Sequence, residues 1–239
     1  MSYTIRRIAP CALGKVDFSK ADSGHISCVW HESGKNRPKV EFRILHDDAS
    51  LYIRYVVRED RGVLVRHRGF QVPVHLDSCC EIFVRPKLGC GYFNFEMNAG
   101  GSLTLMYIED PSRIPGGFKK AVRLPDELCA KVEIIHTLPQ LVPQEMPGPT
   151  DWELRCRIPF SIFEKYVGKL DPKERNWLGS LFSCCEEGSE PYWQSWTPIP
   201  TLNFHNVLVF RDLILEGAEC SGLCSRLTAA DLPEACRFA

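Results

Sequence analysis

The sequence predicts an all-β protein, an antiparallel β-sandwich of jelly-roll type with two packed sheets and one or two short helices. Apolar and polar residues alternate with a period of two through much of the chain. The alternating runs are short and separated by Gly, Pro and Asp, and helical signals are scarce. At 239 residues, with 44% hydrophobic and 25% charged content, the chain carries enough apolar material for one full core.

In "KVEFRIL" (39–45), Val40, Phe42 and Ile44 alternate with Glu41 and Arg43. The turn-forming "HDDAS" follows, then a second alternating run, "LYIRYVVRED" (51–60), so the pair reads as a β-hairpin. Further strands are expected at 79–85, 92–98, 102–108, 119–124, 128–135, 152–158, 178–184 and 206–215. The best helical signal is "IPFSIFEKYVGKL" (158–170), where Pro159 suits a first helical position and Gly168 a stop. The Pro-rich stretch 138–150 reads as an excursion between strands. The sandwich is expected over 1–216, with 217–239 as an appended tail holding a helical turn near "TAADLPEACRF".

A net charge of −1 gives no basic field for nucleic acid or anionic lipid, and the Arg66-His67-Arg68 knot reads as a solvated loop. No run approaches the ~18 apolar residues of a membrane span. The N-terminal "MSYTIRRIAPCALG" lacks the apolar stretch and cleavage site of a signal peptide, so a cytoplasmic chain is expected, or a secreted one if the N-terminus was processed. Partners among nucleic acids or membranes are not expected, and oligomeric state is not legible. Most of the twelve cysteines read as small buried apolar residues in a reducing compartment. In the vicinal pairs Cys79-Cys80 and Cys184-Cys185, strand geometry points each member to the opposite face, so both cannot join one metal site. Cys220, Cys224 and Cys236 make only a weak zinc pattern.

Catalytic motifs are not recognisable. His136 and His205 accompany no nucleophile in a known arrangement, and "GCG" at 89–91 reads as a hairpin turn. Met97 should point into the core and has no matching His, so haem is not expected. The most chemical surface comes from "DSCCEIFVRP" (77–86) and "GYFNFEMNAGG" (91–101). If these are neighbouring strands, Cys80, Ile82, Val84, Phe93, Phe95 and Met97 form an apolar face, and Glu81, Arg85, Asn94, Glu96 and Asn98 share the other. By periodicity alone that second face reads as the solvated side common in antiparallel sheets. Its carboxylates and amides also suit a sugar, since each can engage two adjacent hydroxyls, and flat rings cover a sugar's C–H face. Trp196 and Phe204, on the Pro-stiffened "QSWTPIPTLNFHN" (194–206), are either such rings or buried loop anchors.

The motifs "DSCCEIFV", "GYFNFEMNAGG", "DWELRCRIPFSIF", "WLGSLFSCCEE" and "SWTPIPTLNFHNVLVFRDLIL" together resemble the carbohydrate-binding family 9 type of domain. That group is related to DOMON-like β-sandwiches and occurs beside xylanases and as single-domain bacterial proteins. The similarity runs in order from about Pro38 to Glu216. It implies a sandwich that binds glycans without cutting them, and structural calcium in several members. By resemblance, Glu81 matches the sugar-contacting Glu, Phe204 falls where xylanase-attached members have a stacking tryptophan, and Trp196 matches the "SW" before it. Asn94 stands where those members have Arg. Where the second stacking tryptophan is expected, "GFQVPVHL" offers only Phe70 or His75, so a two-tryptophan clamp is not reproduced. No calcium ligand set transfers, and Asp47, Asp48 and Asp60 read as turn residues.

The expected function is therefore non-catalytic binding of a mono- or oligosaccharide, with no cofactor and with Glu81, Asn94, Glu96, Trp196, Phe204, Arg85 and Asn98 as candidate contacts. Two alternatives stay open. One is an interaction sandwich without a sugar site. The other is a glycoside hydrolase using Glu81 and Glu96 as its carboxyl pair.

Overall fold

The alternating runs become strands because each can bury one face, and the computed structural model describes them over residues 1–171 and 176–217. In chain order they are β1 (Ser2–Arg7), β2 (Gly24–Ile26), β3 (Cys28–Val29), β4 (Lys39–His46), β5 (Ser50–Glu59), β6 (Gly62–Val65), β7 (Cys79–Arg85) and β8 (Tyr92–Asn98). There follow β9 (Leu103–Ile114), β10 (Gly117–Arg123), helix α1 (Asp126–Cys129), β11 (Glu133–His136), β12 (Val142–Pro147) and β13 (Thr150–Pro159). Helix α2 (Phe160–Val167), β14 (Asn176–Cys185), β15 (Tyr192–Ser195) and β16 (Arg211–Leu215) complete the order.

One sheet runs β10-β9-β8-β7-β14-β16-β1 and the other β1-β4-β5-β13-β11, and β15 bridges β14 and β3 at the side. The two sheets share β1. Its first residues pair in parallel with β16, Ser2 opposite Asp212 to Ile5 opposite Leu215, and Arg6 and Arg7 then pair with Leu45 and His46 of β4. Between the sheets lies a continuous apolar core that includes Ile5, Phe42, Ile44, Ile53, Ile82, Phe93, Phe95 and Trp177, all essentially inaccessible to water. The sandwich is thus the expected one, and the hairpin 39–60 is β4–β5 in unbroken register.

Several local expectations are corrected. Segment 128–135 is not one strand, because "DELC" forms the short helix α1 and pairing begins only at Glu133. The Pro-rich excursion contains β12, which pairs with β6 despite a register shift between Val142 and Met146. Segment 206–215 opens with a single helical turn at Val207–Val209, capped by the Asn206 side chain, before β16. Helix α2 follows Pro159 and ends at Gly168, whose φ of 73° lies in the left-handed region open to glycine. Asp47 is spent on the β4–β5 turn: its Oδ1 accepts from the Ala49 and Ser50 amides at 3.0 and 2.7 Å, and its Oδ2 from the Tyr52 hydroxyl at 2.7 Å. The expected tail with Cys220, Cys224 and Cys236 lies outside the described residues. Among the described residues, no helix is long and apolar enough to cross a membrane.

Trp196 belongs to the core. It is 6% exposed and stands edge-on to Phe42 (5.8 Å) and Tyr3 (6.4 Å). Its amide donates to the Leu181 carbonyl at 2.8 Å, which pins the entry to the following loop. Losing that side chain empties a large apolar site, so Trp196→Ala should lower stability by about 3–5 kcal/mol in urea unfolding. A midpoint unchanged from the parent would contradict this placement.

Glu59 ends β5 in a buried polar pocket. Its carboxylate accepts from Asn36 Nδ2 at 2.8 Å, the Tyr192 hydroxyl at 3.1 Å and Trp152 Nε1 at 3.4 Å. Burial outweighs these donors and pushes its pKa up from 4.5 to about 7. Between those values the folded chain holds more protons than the unfolded one, so stability falls as pH rises through this window. The shift is worth on the order of 3 kcal/mol. Glu59→Gln cannot titrate, so its unfolding free energy should fall less than the parent's between pH 4.5 and 8, by about that amount. Equal falls in the two proteins would refute it.

A buried polar cleft on the outer face of the larger sheet

Both faces of β7, β8 and β14 are buried. One packs into the core. The other, expected to be solvated, is the floor of a cleft of about 830 Å³. The register makes this floor. Glu81 stands directly opposite Glu96 on β8 and opposite Phe182 on β14, and Cys79 stands opposite Cys184. Three neighbouring strands in pleat therefore place Glu81, Asn94, Glu96 and Cys184 on one side of the sheet.

Each floor group has defined partners. Asn94 donates to Glu96 Oε1 at 2.6 Å and accepts from the Met106 amide at 2.9 Å. His75 Nδ1 lies 3.8 Å from Glu96 Oε2. The Cys184 thiol donates to Glu81 Oε1 at 3.3 Å. Burial raises both carboxyl pKa values. At Glu81 the neighbouring Glu96 charge adds to burial, whereas at Glu96 the Asn94 hydrogen bond and Arg123 pull partly back. The floor thus favours a protonated carboxyl, which donates as well as accepts, as a sugar hydroxyl does.

The walls come from two loops and a hairpin. Phe204 and Leu202 stand on one, and Phe204 lies parallel to Phe182 at 4.3 Å between ring centres. Beside it His205 accepts or donates at Nδ1 with the Tyr92 hydroxyl (2.9 Å) and sits against the rings of Phe83 and Phe118. Burial, then Arg113 and His75, hold its pKa down to about 3, so the ring is neutral. The β9–β10 hairpin supplies Phe118, Arg113 and Arg123, with the Arg113 guanidinium 4.1 Å over the Phe118 ring. The third wall is the segment before β7, which presents His75. It is tied down by Asp77, which accepts from the Arg66 and His67 amides at 2.9 and 3.0 Å.

Of the residues predicted as sugar contacts, Glu81, Asn94, Glu96 and Phe204 line the cleft together. Three do not. Trp196 is a core side chain, as described above. Asn98 is committed to structure: its amide donates to Asp77 Oδ2 and the His67 carbonyl, both at 2.8 Å, and its oxygen accepts from Ser102 N at 2.9 Å. Arg85 is buried at the far end of β7, opposite Leu178, away from the cleft lining. Of Phe70 and His75, His75 reaches the cleft.

Sequence reasoning missed the rings of Phe118 and Trp193, and Trp193 is the one it could have found. It lies opposite Cys184 in the β14–β15 pair, half-buried at the cleft edge, with Nε1 donating to Glu186 Oε1 at 3.0 Å. The signal was present in "YWQSW". Two tryptophans three residues apart in an extended chain must face opposite ways, so one is core and the other is offered outward. The rim cations Arg113 and Arg123 carried no comparable signal.

A family model for carbohydrate-binding family 9 matches residues 12–215. Among solved structures, a candidate carbohydrate-binding protein from Bacteroides uniformis ATCC 8492 is similar at TM-score 0.77 and 25% identity, over 90% of this chain and 99% of that one. A family 9 carbohydrate-binding module from Caldicellulosiruptor kristjanssonii, solved with glucose, shares the fold at TM-score 0.59 and 13% identity, over 92% and 97% of the two chains. The same kind of module solved with cellotriose gives 0.60 and 13%, over 95% and 100%. No curated protein matches the sequence. With the family model matching residues 12–215, every strand of the sandwich but β1, the chain belongs to carbohydrate-binding family 9.

Proposed function

We propose that the cleft binds a mono- or oligosaccharide and leaves it uncut. The observation that carries this reading is the pairing of a fixed polar floor, Glu81, Asn94 and Glu96, with the rings of Trp193, Phe204 and Phe118 around one cleft of sugar-accommodating size. The floor groups replace the hydration of the hydroxyls, and the rings cover the apolar faces of the sugar at small entropic cost. Because the floor is held by hydrogen bonds before any ligand arrives, little ordering remains to oppose binding.

The same geometry argues against hydrolysis. Cleaving a glycosidic bond needs carboxyls that flank it, one as acid and the other as nucleophile or base. Glu81 and Glu96 are instead cross-strand neighbours side by side on one floor. Both reach a ligand from the same direction.

Calorimetry with glucose, cellotriose and other short oligosaccharides tests the binding. Heat is expected with at least one of them, and Trp193→Ala and Phe204→Ala should each weaken it about tenfold or more. Silence with every sugar at millimolar concentration would instead favour an interaction sandwich. Incubation with the same oligosaccharides should release no new reducing ends. Release that vanishes in Glu96→Gln would turn the reading into a hydrolase.

A further inference from the structure

We infer that the cleft floor is also a binding site for a thiophilic divalent cation of the zinc type, held by Cys79, Cys184 and Glu81. This does not rest on the sugar reading, although the two share a cleft. Each vicinal pair contributes one thiol, the member facing the cleft side, while Cys80 turns into the core and Cys185 packs with Leu64 and Tyr192. Cys79 and Cys184 are exact cross-strand partners, and Glu81 is the next residue along β7 on the same face. The two sulfurs and a carboxylate oxygen all lie within 4.8 Å of one another.

The spacing suits a tetrahedral cation. With metal–sulfur bonds of about 2.3 Å and metal–oxygen bonds of about 2.0–2.2 Å, the sulfur–oxygen edge of such a site is about 3.6 Å. Cys184 Sγ is already 3.3 Å from Glu81 Oε1. All three residues are buried, at 0%, 1% and 2% exposure, on strands rather than loops, so little reorganisation separates the present arrangement from a ligated one. Among the described residues this is the one group of three or more such side chains whose ligand atoms converge.

Packing alone accounts for cysteines such as Cys80 and Cys156, which sit among apolar neighbours. It does not account for a buried carboxyl group clustered with two thiols. Two sulfur donors select zinc-like ions over calcium or magnesium, which take oxygen. Binding would displace the thiol protons to solvent, and the cation's charge would replace the proton that now links sulfur to carboxyl. Glu81 and Cys184 line the cleft, so the fourth position would open towards it, under Trp193 and Phe204. Three protein ligands with one open position is the pattern of a zinc site that can take an exogenous oxygen.

The test uses the full chain, stripped of metal and kept reduced, titrated with cobalt(II) and then zinc(II). One equivalent of cobalt should give thiolate charge-transfer absorption with tetrahedral d–d bands, and zinc should abolish both. Cys79→Ser/Cys184→Ser should remove the absorption, whereas Cys220→Ser/Cys224→Ser/Cys236→Ser should keep it. Because the first variant disturbs packed strands, X-ray absorption on the zinc-loaded parent provides a reading that needs no variant. Two sulfurs at about 2.3 Å with lighter ligands at about 2.0–2.2 Å are expected. Absence of thiolate absorption, its loss with the tail cysteines, or a zinc shell of four sulfurs or none overturns the inference. Sugar calorimetry repeated on metal-free protein keeps this outcome separate from that of the sugar site.

Discussion

The alternation of side chains across β7, β8 and β14 is the constraint on which the rest of this molecule depends. A strand offers its residues to two faces in strict turn, so three strands in fixed register present two complete surfaces. Here one surface is Cys80, Ile82, Val84, Phe93 and Phe95, which builds the core. The other is Glu81, Asn94, Glu96 and Cys184, which builds the cleft floor. A slip of one residue in any of these pairings would exchange the two and ruin both. The apolar face therefore does more than stabilise the fold, because its burial locks the position of every polar group opposite.

Keeping such a floor buried is costly unless its groups are partnered, and the structure answers with short-range hydrogen bonds. Asn94 bridges Glu96 and the β9 backbone. Asp77, fully buried, ties down the segment that carries His75, with Asn98 behind it. The result is a site whose polar groups and the rings of Trp193 and Phe118 are set on strands, with Phe204 on a loop.

Much of this was legible in the residues, and the parts that were not have physical reasons. The hairpin 39–60 announces itself because Val40, Phe42 and Ile44 face a single core and their neighbours are charged. That Glu81 and Glu96 share a face follows from two apolar sets that must share the other, whereas their direct pairing is set by the register. The burial of that second face was not legible, because the hairpin and loops that cover it are brought in by tertiary contacts. Strands β1, β6 and β12 escaped because they are short and draw their stability from neighbours remote in sequence rather than from their own pattern. Trp193 was passed over because resemblance attached to Trp196 of the "SW" pair, whereas parity along β15 decides which ring faces out.

The sharing of β1 between the two sheets has a kinetic consequence. Its partner β16 closes the described sandwich, and the Arg7 amide meets the Glu216 carboxylate, 209 positions away, at 2.8 Å. During synthesis β1 can meet β4 early, but its pairing with β16 must wait for residues some two hundred positions further on. Until β16 is made, the edges of β1 and β14 that it will cover stay open, and unpaired edges invite pairing with other chains. Contacts this distant in sequence place the molecule among slow folders, whose yield in a cell turns on how well the early strands are kept apart while the rest is made.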